Sequence, residues 1–245
     1  MSDNETVLTC TQVQKSFGGL KAVDRVDFSL GRGEVRGLVG PNGSGKSTMI
    51  NLLSGHLDID GGEIRLRDRR IDDLPAHKVA ELGLARTYQI PRPFASLTVR
   101  ENVRVAASFG AADDRPADRR AEADRWIEFV GLTRVADLYP DSVTLHQRKL
   151  LELARALAVR PKVLFLDEVL AGLNPSELKE GIALVRRISD LGISLVVVEH
   201  LMRVILDVCE HLTVLNFGQV IAQGDPTECL RDKDVVSAYL GSEHA

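Results

Sequence analysis

The stretch Gly40–Thr48 reads G-P-N-G-S-G-K-S-T and decides the fold predicted for this chain. It fits the phosphate-binding pattern G-x-x-x-x-G-K-[ST]. At Gly43 and Gly45 the absence of a Cβ is expected to let backbone N–H groups point toward a phosphate. The pattern also predicts that Lys46 places its charge on the β- and γ-phosphates and that the Ser47 hydroxyl holds Mg²⁺.

The segments on either side of this loop support the motif. Glu34 to Val39 (E-V-R-G-L-V) is predicted to be a short buried strand that runs into the loop, and Met49 to Leu53 continues as an apolar helix. A helix that begins near Lys46 adds its positive N-terminal end to the loop. The alternative is a glycine-rich turn with a chance Lys-Ser pair, and the strand–loop–helix context argues against it.

Composition limits the classes of function. The chain has 245 residues, 44% of them hydrophobic and 27% charged, which is typical of a soluble globular protein. A net charge of −4 and a pI near 5.9 argue against nucleic-acid binding through a basic surface. The polar start M-S-D-N-E-T predicts no secretory signal, and no apolar run reaches membrane-spanning length. The three cysteines are expected to be reduced thiols.

Alternating and helical patterns predict how the rest of the chain is organised. An antiparallel β region precedes the loop, and helical patterns dominate from residue 98 to residue 158. Thr98 and Glu101 fit a capping box that opens this helical insertion. The predicted strands are Val7–Gln14, Val23–Leu30, a hairpin strand after Gly61-Gly62, Leu84–Tyr88, Val163–Leu166, Ile193–Val198, Thr213–Asn216 and Gln219–Ala222.

The predicted helices and loops complete this organisation. Lys15–Leu20 is expected to be a turn, and Gly110–Pro116 a charged surface loop. Buried strands that alternate with helices indicate a mainly parallel sheet with helices on both faces. Besides the helix after the loop and the one opened by Thr98, the predicted helices are Ala117–Val130, Arg148–Val159, Ser176–Asp190, Leu201–Val208 and Pro226–Leu240.

Two carboxylates follow the buried strand Val163–Leu166. An aliphatic strand that ends in Asp167 is expected to bring a carboxylate to the edge of the phosphate loop, where it can hold Mg²⁺. Glu168 is then the candidate general base for an attacking water. The alternative is a solvated Asp-Glu pair at a strand end, which the phosphate loop makes less favoured.

Taken together, these motifs resemble the ATP-binding subunits of ABC transporters from Val7 to Gly241. The resemblance implies that Phe17 stacks on adenine, that Gln89 is the Q-loop glutamine that senses Mg²⁺, and that His200 is the switch histidine. It also implies a D-loop at Ala171–Asn174. The nucleotide-binding residues of the loop are then Gly40, Pro41, Asn42, Gly43, Ser44, Gly45, Lys46, Ser47 and Thr48, and Ser47, Gln89 and Asp167 surround the metal.

The family resemblance also implies the architecture. The expected fold is α/β, a P-loop NTPase with a RecA-like core, an antiparallel β subdomain and an inserted α-helical subdomain. The core with the β subdomain is expected at residues 1–97 and 159–245, and the helical subdomain at residues 98–158. As plain structural alternatives, Phe17 is a packing residue of a turn, Gln89 a surface residue, and His200 a hydrogen-bonded histidine at a strand end.

Three departures from the family pattern stand out. The signature L-S-G-G-Q is replaced by V-T-L-H-Q at residues 143–147, where Thr144 and Gln147 keep polar groups and His146 replaces a glycine. Val169 replaces the usual proline after Asp-Glu, and Leu201 replaces a frequent aspartate. One explanation is drift in a working protein, and the other is a subunit with one impaired composite site.

The resemblance implies a cytoplasmic ATPase, peripheral on the inner face of the cell membrane, that drives solute uptake. Stretches such as R-T-Y-Q-I-P-R-P-F resemble the branch that imports branched-chain amino acids. The implied partners are transmembrane permease subunits, a second ATP-binding subunit in a homo- or heterodimer, and indirectly an extracytoplasmic solute-binding protein. The alternatives are a regulatory nucleotide-binding subunit with little hydrolysis and a non-transport ABC protein of DNA repair or translation.

Overall fold

Ten strands and nine α-helices lie within residues 5–109 and 118–241, the part of the chain that the computed structural model describes. The strands are β1 (Thr6–Phe17), β2 (Leu20–Gly31), β3 (Val35–Val39), β4 (Gly61–Leu66), β5 (Arg69–Arg70), β6 (Leu84–Arg86), β7 (Val163–Asp167), β8 (Ser194–Val198), β9 (His211–Asn216) and β10 (Gln219–Gly224). The helices are α1 (Lys46–Leu53), α2 (Ala76–Glu81), α3 (Val99–Ala106), α4 (Arg119–Phe129), α5 (Leu145–Ala158), α6 (Pro175–Ser189), α7 (Met202–Val208), α8 (Pro226–Cys229) and α9 (Lys233–Gly241).

A six-stranded sheet in the order β10-β9-β3-β8-β7-β6 forms the centre of the fold. Its neighbouring strands run parallel, except for the antiparallel pair β9–β10. Every residue of β3, β7 and β8 is buried, as expected for strands covered on both faces. Since parallel strands end at the same edge of a sheet, the segments that follow β3, β7 and β8 lie side by side.

The second sheet is antiparallel, in the order β2-β1-β4-β5. Its inward side chains share one hydrophobic core with α1 and one face of the central sheet, where Leu38, Met49 and Phe165 are fully buried. The other face of the central sheet is covered by a second core cluster with side chains from α5, α6 and α7. The predicted α/β class with an additional antiparallel sheet is therefore confirmed.

Helices α3, α4 and α5 pack against one another between β6 and β7 of the chain. The Thr98 side chain accepts from the backbone N–H of Glu101 and the Glu101 side chain accepts from that of Thr98, so the predicted capping box is present. Trp126 and Ile127 of α4 are buried in this region. The exact subdomain limits at residues 97/98 and 158/159 stay a prediction, and the expected loop at residues 110–116 lies outside the described residues.

Several predicted element limits were wrong for local reasons. The predicted turn Lys15–Leu20 shrinks to Gly18–Gly19, because β1 and β2 pair as far as Phe17 and Leu20. Helix α5 begins three residues before Arg148, because Thr144 caps it within the V-T-L-H-Q segment itself.

The C-terminal part of the chain and one short helix also differ from the sequence prediction. The predicted helix Pro226–Leu240 is two helices, since the Asp232 carboxylate accepts the Asp234 N–H and starts a new one. Helix α2 was not predicted, and its N-cap residue is Pro75, which makes no side-chain capping hydrogen bond.

Within the described residues, no helix is both long enough and apolar enough to cross a membrane. The three thiols, Cys10, Cys209 and Cys229, are free. Burial raises the pKa of Cys209 to about 12, with a smaller contribution from Glu210. Burial likewise raises the pKa of Cys10 and Cys229, which favours the protonated thiol at neutral pH.

Candidate nucleotide-binding site

The loop between β3 and α1 has a backbone that only glycine can adopt at two positions. Gly40 and Gly45 have φ values of 152° and 107°. A Cβ on Gly40 would overlap the Leu215 carbonyl oxygen, and one on Gly45 would overlap that of Ala22. The glycines therefore bring the loop close to neighbouring backbone, and α1 starts directly after Gly45. The result is a tight loop at a helix N-terminus, the arrangement that favours bound phosphate.

The Lys46 ammonium group lies inside this loop. Its Nζ donates to the carbonyl oxygens of Gly40 at 2.7 Å and of Pro41 at 2.9 Å. Burial lowers the pKa of Lys46, while the nearby Glu168 and Asp167 carboxylates act in the opposite direction. Backbone carbonyls thus hold the Lys46 cation near two acidic groups at the end of β7.

Glu168 is held between two of the other predicted site residues. Its Oε2 accepts from Gln89 Nε2 at 2.6 Å, and its Oε1 lies 2.7 Å from His200 Nε2. The Glu168 backbone N–H donates to Val198 at the end of β8. The residue adopts a φ of 51°, which is uncommon for a non-glycine residue and common at functional sites. Three segments distant in sequence therefore meet at one carboxylate.

A cavity of about 700 Å³ brings most of the predicted residues together. Glu168, Gln89 and His200 line it beside the phosphate loop, and the half-exposed Phe17 ring lies on its wall. The exposed Phe217 of the β9–β10 turn is a further aromatic wall residue that sequence reasoning missed. The loop residues that line the cavity are Asn42, Gly43, Ser44, Gly45, Lys46, Ser47 and Thr48.

Asp167 ends β7 and is almost fully buried. Burial raises its pKa, while Arg86, whose Nη2 lies 3.2 Å from Asp167 Oδ2, acts to lower it. Within the described residues, no cluster of three His, Cys, Asp or Glu side chains is able to hold a metal ion by itself. One carboxylate with hydroxyl and amide oxygens fits Mg²⁺, which is commonly bound by one or two carboxylates together with substrate phosphates.

The V-T-L-H-Q segment lies away from this cavity. Thr144 and His146 line a separate cavity of about 250 Å³ with Lys149 and Glu177. Thr144 and Gln147 form a capping box at the start of α5, and His146 Nδ1 lies 3.3 Å from Glu177 Oε1. The structure therefore does not bring Thr144, His146 and Gln147 to the phosphate loop of their own chain.

Two groups near Glu168, the partly buried Lys149 and the buried Glu199, were not predicted from the sequence. Lys149 Nζ donates to the carbonyl oxygens of Glu168 at 3.2 Å and Ala171 at 2.5 Å. Glu199 accepts from the Leu170 N–H at 2.8 Å, and burial raises its pKa to about 7. The two side chains thus fix the segment 168–171. The position of Glu199 directly before His200 at a strand end was the available signal.

Comparisons with known proteins agree with this geometry. Residues 23–171 match the family model described as ABC transporter. The chain is 36% identical to the high-affinity branched-chain amino acid transport ATP-binding protein BraF of Pseudomonas aeruginosa, over 96% of this chain and 98% of the relative. It is 32% identical to the lipopolysaccharide export system ATP-binding protein LptB of Haemophilus influenzae, over 97% and 98%.

Solved structures give the same assignment. A nucleotide-free ATP-binding cassette from an ABC transporter has a TM-score of 0.87 and 30% identity, with 96% of this chain and 98% of the other covered. An ATP-binding cassette in its ADP conformation has a TM-score of 0.85 and 30% identity, over 96% and 99%. Fold and site therefore define a P-loop ATPase. More narrowly, the chain belongs to the ABC transporter family as an ATP-hydrolysing, ATP-binding subunit.

Proposed function

We propose that this chain powers the uptake of branched-chain amino acids, or of a related polar solute, through a membrane permease. The observation that carries the proposal is the Glu168 carboxylate held between Gln89 and His200 on the wall of the phosphate-loop cavity. A base positioned by two side chains beside a phosphate site suits ATP hydrolysis. The solute class follows from relatives such as BraF and LivG, whose names state branched-chain amino acid transport.

In this proposal the loop binds the nucleotide. Lys46 and the backbone N–H groups of the loop after Pro41 neutralise and orient the β- and γ-phosphates. Phe17 stacks on the adenine, which agrees with its half-exposed ring on the cavity wall. The Lys46 contacts to the Gly40 and Pro41 carbonyls hold the ammonium within reach of a phosphate.

The metal and the attacking water are handled by the remaining residues. Ser47, Gln89 and Asp167 would hold Mg²⁺, which when bound neutralises charge on the phosphates. Glu168 accepts a proton from water, and His200 orients that water through its contact with Glu168. Gln89 donates through Nε2 to Glu168, so its amide oxygen is the atom that would bind the metal.

A second ATP-binding subunit completes the site in this proposal. Thr144, His146 and Gln147 lie away from the chain's own phosphate loop and are assigned to the nucleotide of that second subunit. The chain then works in the cytoplasm, attached to the inner face of the membrane by permease subunits. An extracytoplasmic solute-binding protein delivers the solute to the same permease.

A regulatory nucleotide-binding subunit is the second candidate function. It is favoured by His146, which stands where the family has a glycine and whose imidazole lies 3.3 Å from the Glu177 carboxylate. It is opposed by the intact set of Lys46, Asp167 and Glu168. The two candidates differ in one quantity, the rate of ATP hydrolysis that this chain supports.

Affinity purification of the tagged chain from membranes of its source cell tests the transport assignment. We expect a permease with several membrane spans, together with a second ATP-binding subunit, to be enriched over an untagged control. Branched-chain amino acid uptake should fall in cells that lack the chain and return when it is supplied. Recovery of the chain only in the membrane-free fraction, with uptake unchanged, would instead indicate a non-transport ABC protein.

A further inference from the structure

The Arg86 guanidinium group lies between a neighbouring groove and Asp167, the carboxylate proposed to hold Mg²⁺. Its Nη2 donates to Asp167 Oδ2 at 3.2 Å, and its Nη1 donates to Asn51 Oδ1 at 2.6 Å. The side chains of Arg86 and Asp167 are each only 10% exposed. A buried charge pair of this kind strongly constrains the orientation of both groups, because either partner left alone would be an unpaired buried charge.

On the side of the groove, a closed set of contacts links Arg86 to Ser54, His56 and Tyr88 and holds the guanidinium in place. Arg86 lies over the Tyr88 ring at 4.7 Å from its centroid and donates to Ser54 Oγ at 3.4 Å. Ser54 Oγ lies 3.0 Å from His56 Nδ1, and His56 Nε2 lies 3.0 Å from the Tyr88 hydroxyl. These residues line a groove of about 350 Å³.

The contacts of Arg86 show which partner positions the other. Besides Asp167, the guanidinium contacts Asn51, Ser54 and Tyr88, and these three contacts hold it independently of Asp167. The next residue, Thr87, accepts the Asp167 backbone N–H at 3.1 Å and donates its own hydroxyl to the Phe165 carbonyl. Residues 86 and 87 therefore hold both the backbone and the carboxylate of Asp167 at the end of β7.

We propose that Arg86 is a positioning residue that orients Asp167 to receive Mg²⁺. It binds the Oδ2 atom, and among the described residues this leaves Oδ1 as the oxygen for the metal or its water. This inference rests on the proposed role of Asp167 in the nucleotide site. The positive charge of Arg86 repels a divalent cation, but the Asp167 carboxylate already opposes that charge. Outer-shell partners that orient a metal ligand typically contribute about 10- to 100-fold in metal affinity.

Mg²⁺ titration of nucleotide binding tests this role without relying on turnover. Binding of a fluorescent ATP analogue by the full chain is measured at increasing Mg²⁺, and separately in EDTA. We expect Arg86→Gln to raise the Mg²⁺ concentration for half-maximal binding by about tenfold or more, with affinity in EDTA unchanged. Arg70→Gln, which removes an Arg–Asp pair with Asp72 on the other sheet, is the matched control and should show no change.

A double-mutant cycle with Asp167→Asn shows whether Arg86 acts through Asp167. In the Asp167→Asn background, Arg86→Gln should have little further effect on the Mg²⁺ dependence, since the group that it orients is gone. If Arg86→Gln does not fold, Arg86→Lys keeps the charge but loses the planar fork that joins Asn51 and Asp167, and the same rise is expected.

Two results would overturn the inference. The first is a half-maximal Mg²⁺ concentration that is unchanged or lower in the folded Arg86 variants, and the second is fully additive effects in the cycle. Either result leaves the proposed function intact as long as Lys46→Ala loses nucleotide binding. If Lys46→Ala binds the analogue as well as the unchanged chain does, the site assignment itself fails, whatever the Arg86 variants do.

Discussion

Glu168 is the residue on which the proposed chemistry depends most. Its two oxygens are bound by Gln89 and His200 at 2.6 Å and 2.7 Å, and its own backbone is fixed by Val198 and Lys149. In the proposed mechanism these contacts orient the carboxylate toward the phosphate loop, where the attacking water would bind. A base in this position contributes roughly 10²–10⁴-fold to the rate of proton transfer.

The substitution Glu168→Gln separates binding from chemistry. It keeps the size of the side chain and removes the base, so ATP should still bind while turnover falls by roughly 10²–10⁴-fold. The variant should also accumulate as an ATP-bound dimer in size-exclusion chromatography. The exposed Glu180→Gln, on the surface of α6, is the matched control. Persistent turnover of Glu168→Gln, with only monomer in ATP, shows that Glu168 is not the base.

At this scale the sequence predicted the residues whose position follows from strand ends. Asp167 directly follows a run of buried apolar residues and His200 lies two residues after the next one, and parallel strands bring such positions to one edge. Arg86 and Lys149 could not be predicted in the same way. Their contacts to Asp167 and to the Glu168 carbonyl join segments separated by 81 and 19 residues, and no local pattern marks either pair.

Among the elements, the connection from β3 to α1 determines whether a nucleotide can bind. Gly45 supplies the last residue of the loop, with a φ of 107° and no space for a Cβ against the Ala22 carbonyl. That contact also packs the loop against β2. The loop shape is therefore maintained by the antiparallel sheet as well as by its own sequence.

Gly45→Ala should lower both stability and nucleotide affinity. The backbone strain costs about 1–3 kcal/mol, and relief of the overlap shifts the amides that face the phosphates. Thermal unfolding and ATP-analogue binding measure the two effects. Gly131→Ala is the matched control, because its φ is 82° and it has open space around the new methyl group; it should lose stability alone. Unchanged ATP affinity in Gly45→Ala would show that this glycine does not shape the site.

Helices and strands with local signals were predicted well from the sequence. Thr98 and Glu101 form the predicted cap of α3, and the continuous apolar runs are the buried strands β7 and β8. Helix α5 starts earlier than the predicted Arg148, because Thr144 and Gln147 form a capping box within V-T-L-H-Q. Helix α2 has no capping side chain at Pro75, and its position therefore depends on packing.

At the scale of the whole molecule, the separation of two surfaces is the main feature. The phosphate-loop cavity and the cavity with Thr144 and His146 are distinct in one chain. This agrees with sites that are completed between two subunits. A side chain at position 146 adds bulk where the family has a glycine, and loss of one backbone donor to a developing charge costs about 3–4 kcal/mol. We therefore predict a heterodimer with a related subunit that has an intact signature.

His146→Gly tests this prediction on the isolated chain. Removal of the imidazole and of its contact with Glu177 should raise ATP turnover at saturating protein and Mg-ATP. With glycine at position 146, the backbone N–H can approach the phosphate at both sites of a homodimer. Glu177→Gln keeps the imidazole, serves as the control, and should leave turnover low. A fall in turnover in His146→Gly would mean that His146 is a working part of the site.

ATP binding and turnover of Lys46→Ala, measured beside the unchanged chain, test the central claim most directly. Lys46 is buried in the loop and lies near Asp167 and Glu168, so its removal leaves the phosphates without their main cation. The account predicts that ATP affinity falls by roughly 10- to 100-fold, which corresponds to the loss of a charged hydrogen bond, and that turnover is abolished. Affinity and turnover that both equal those of the unchanged chain would contradict the assignment of this loop as the ATP site.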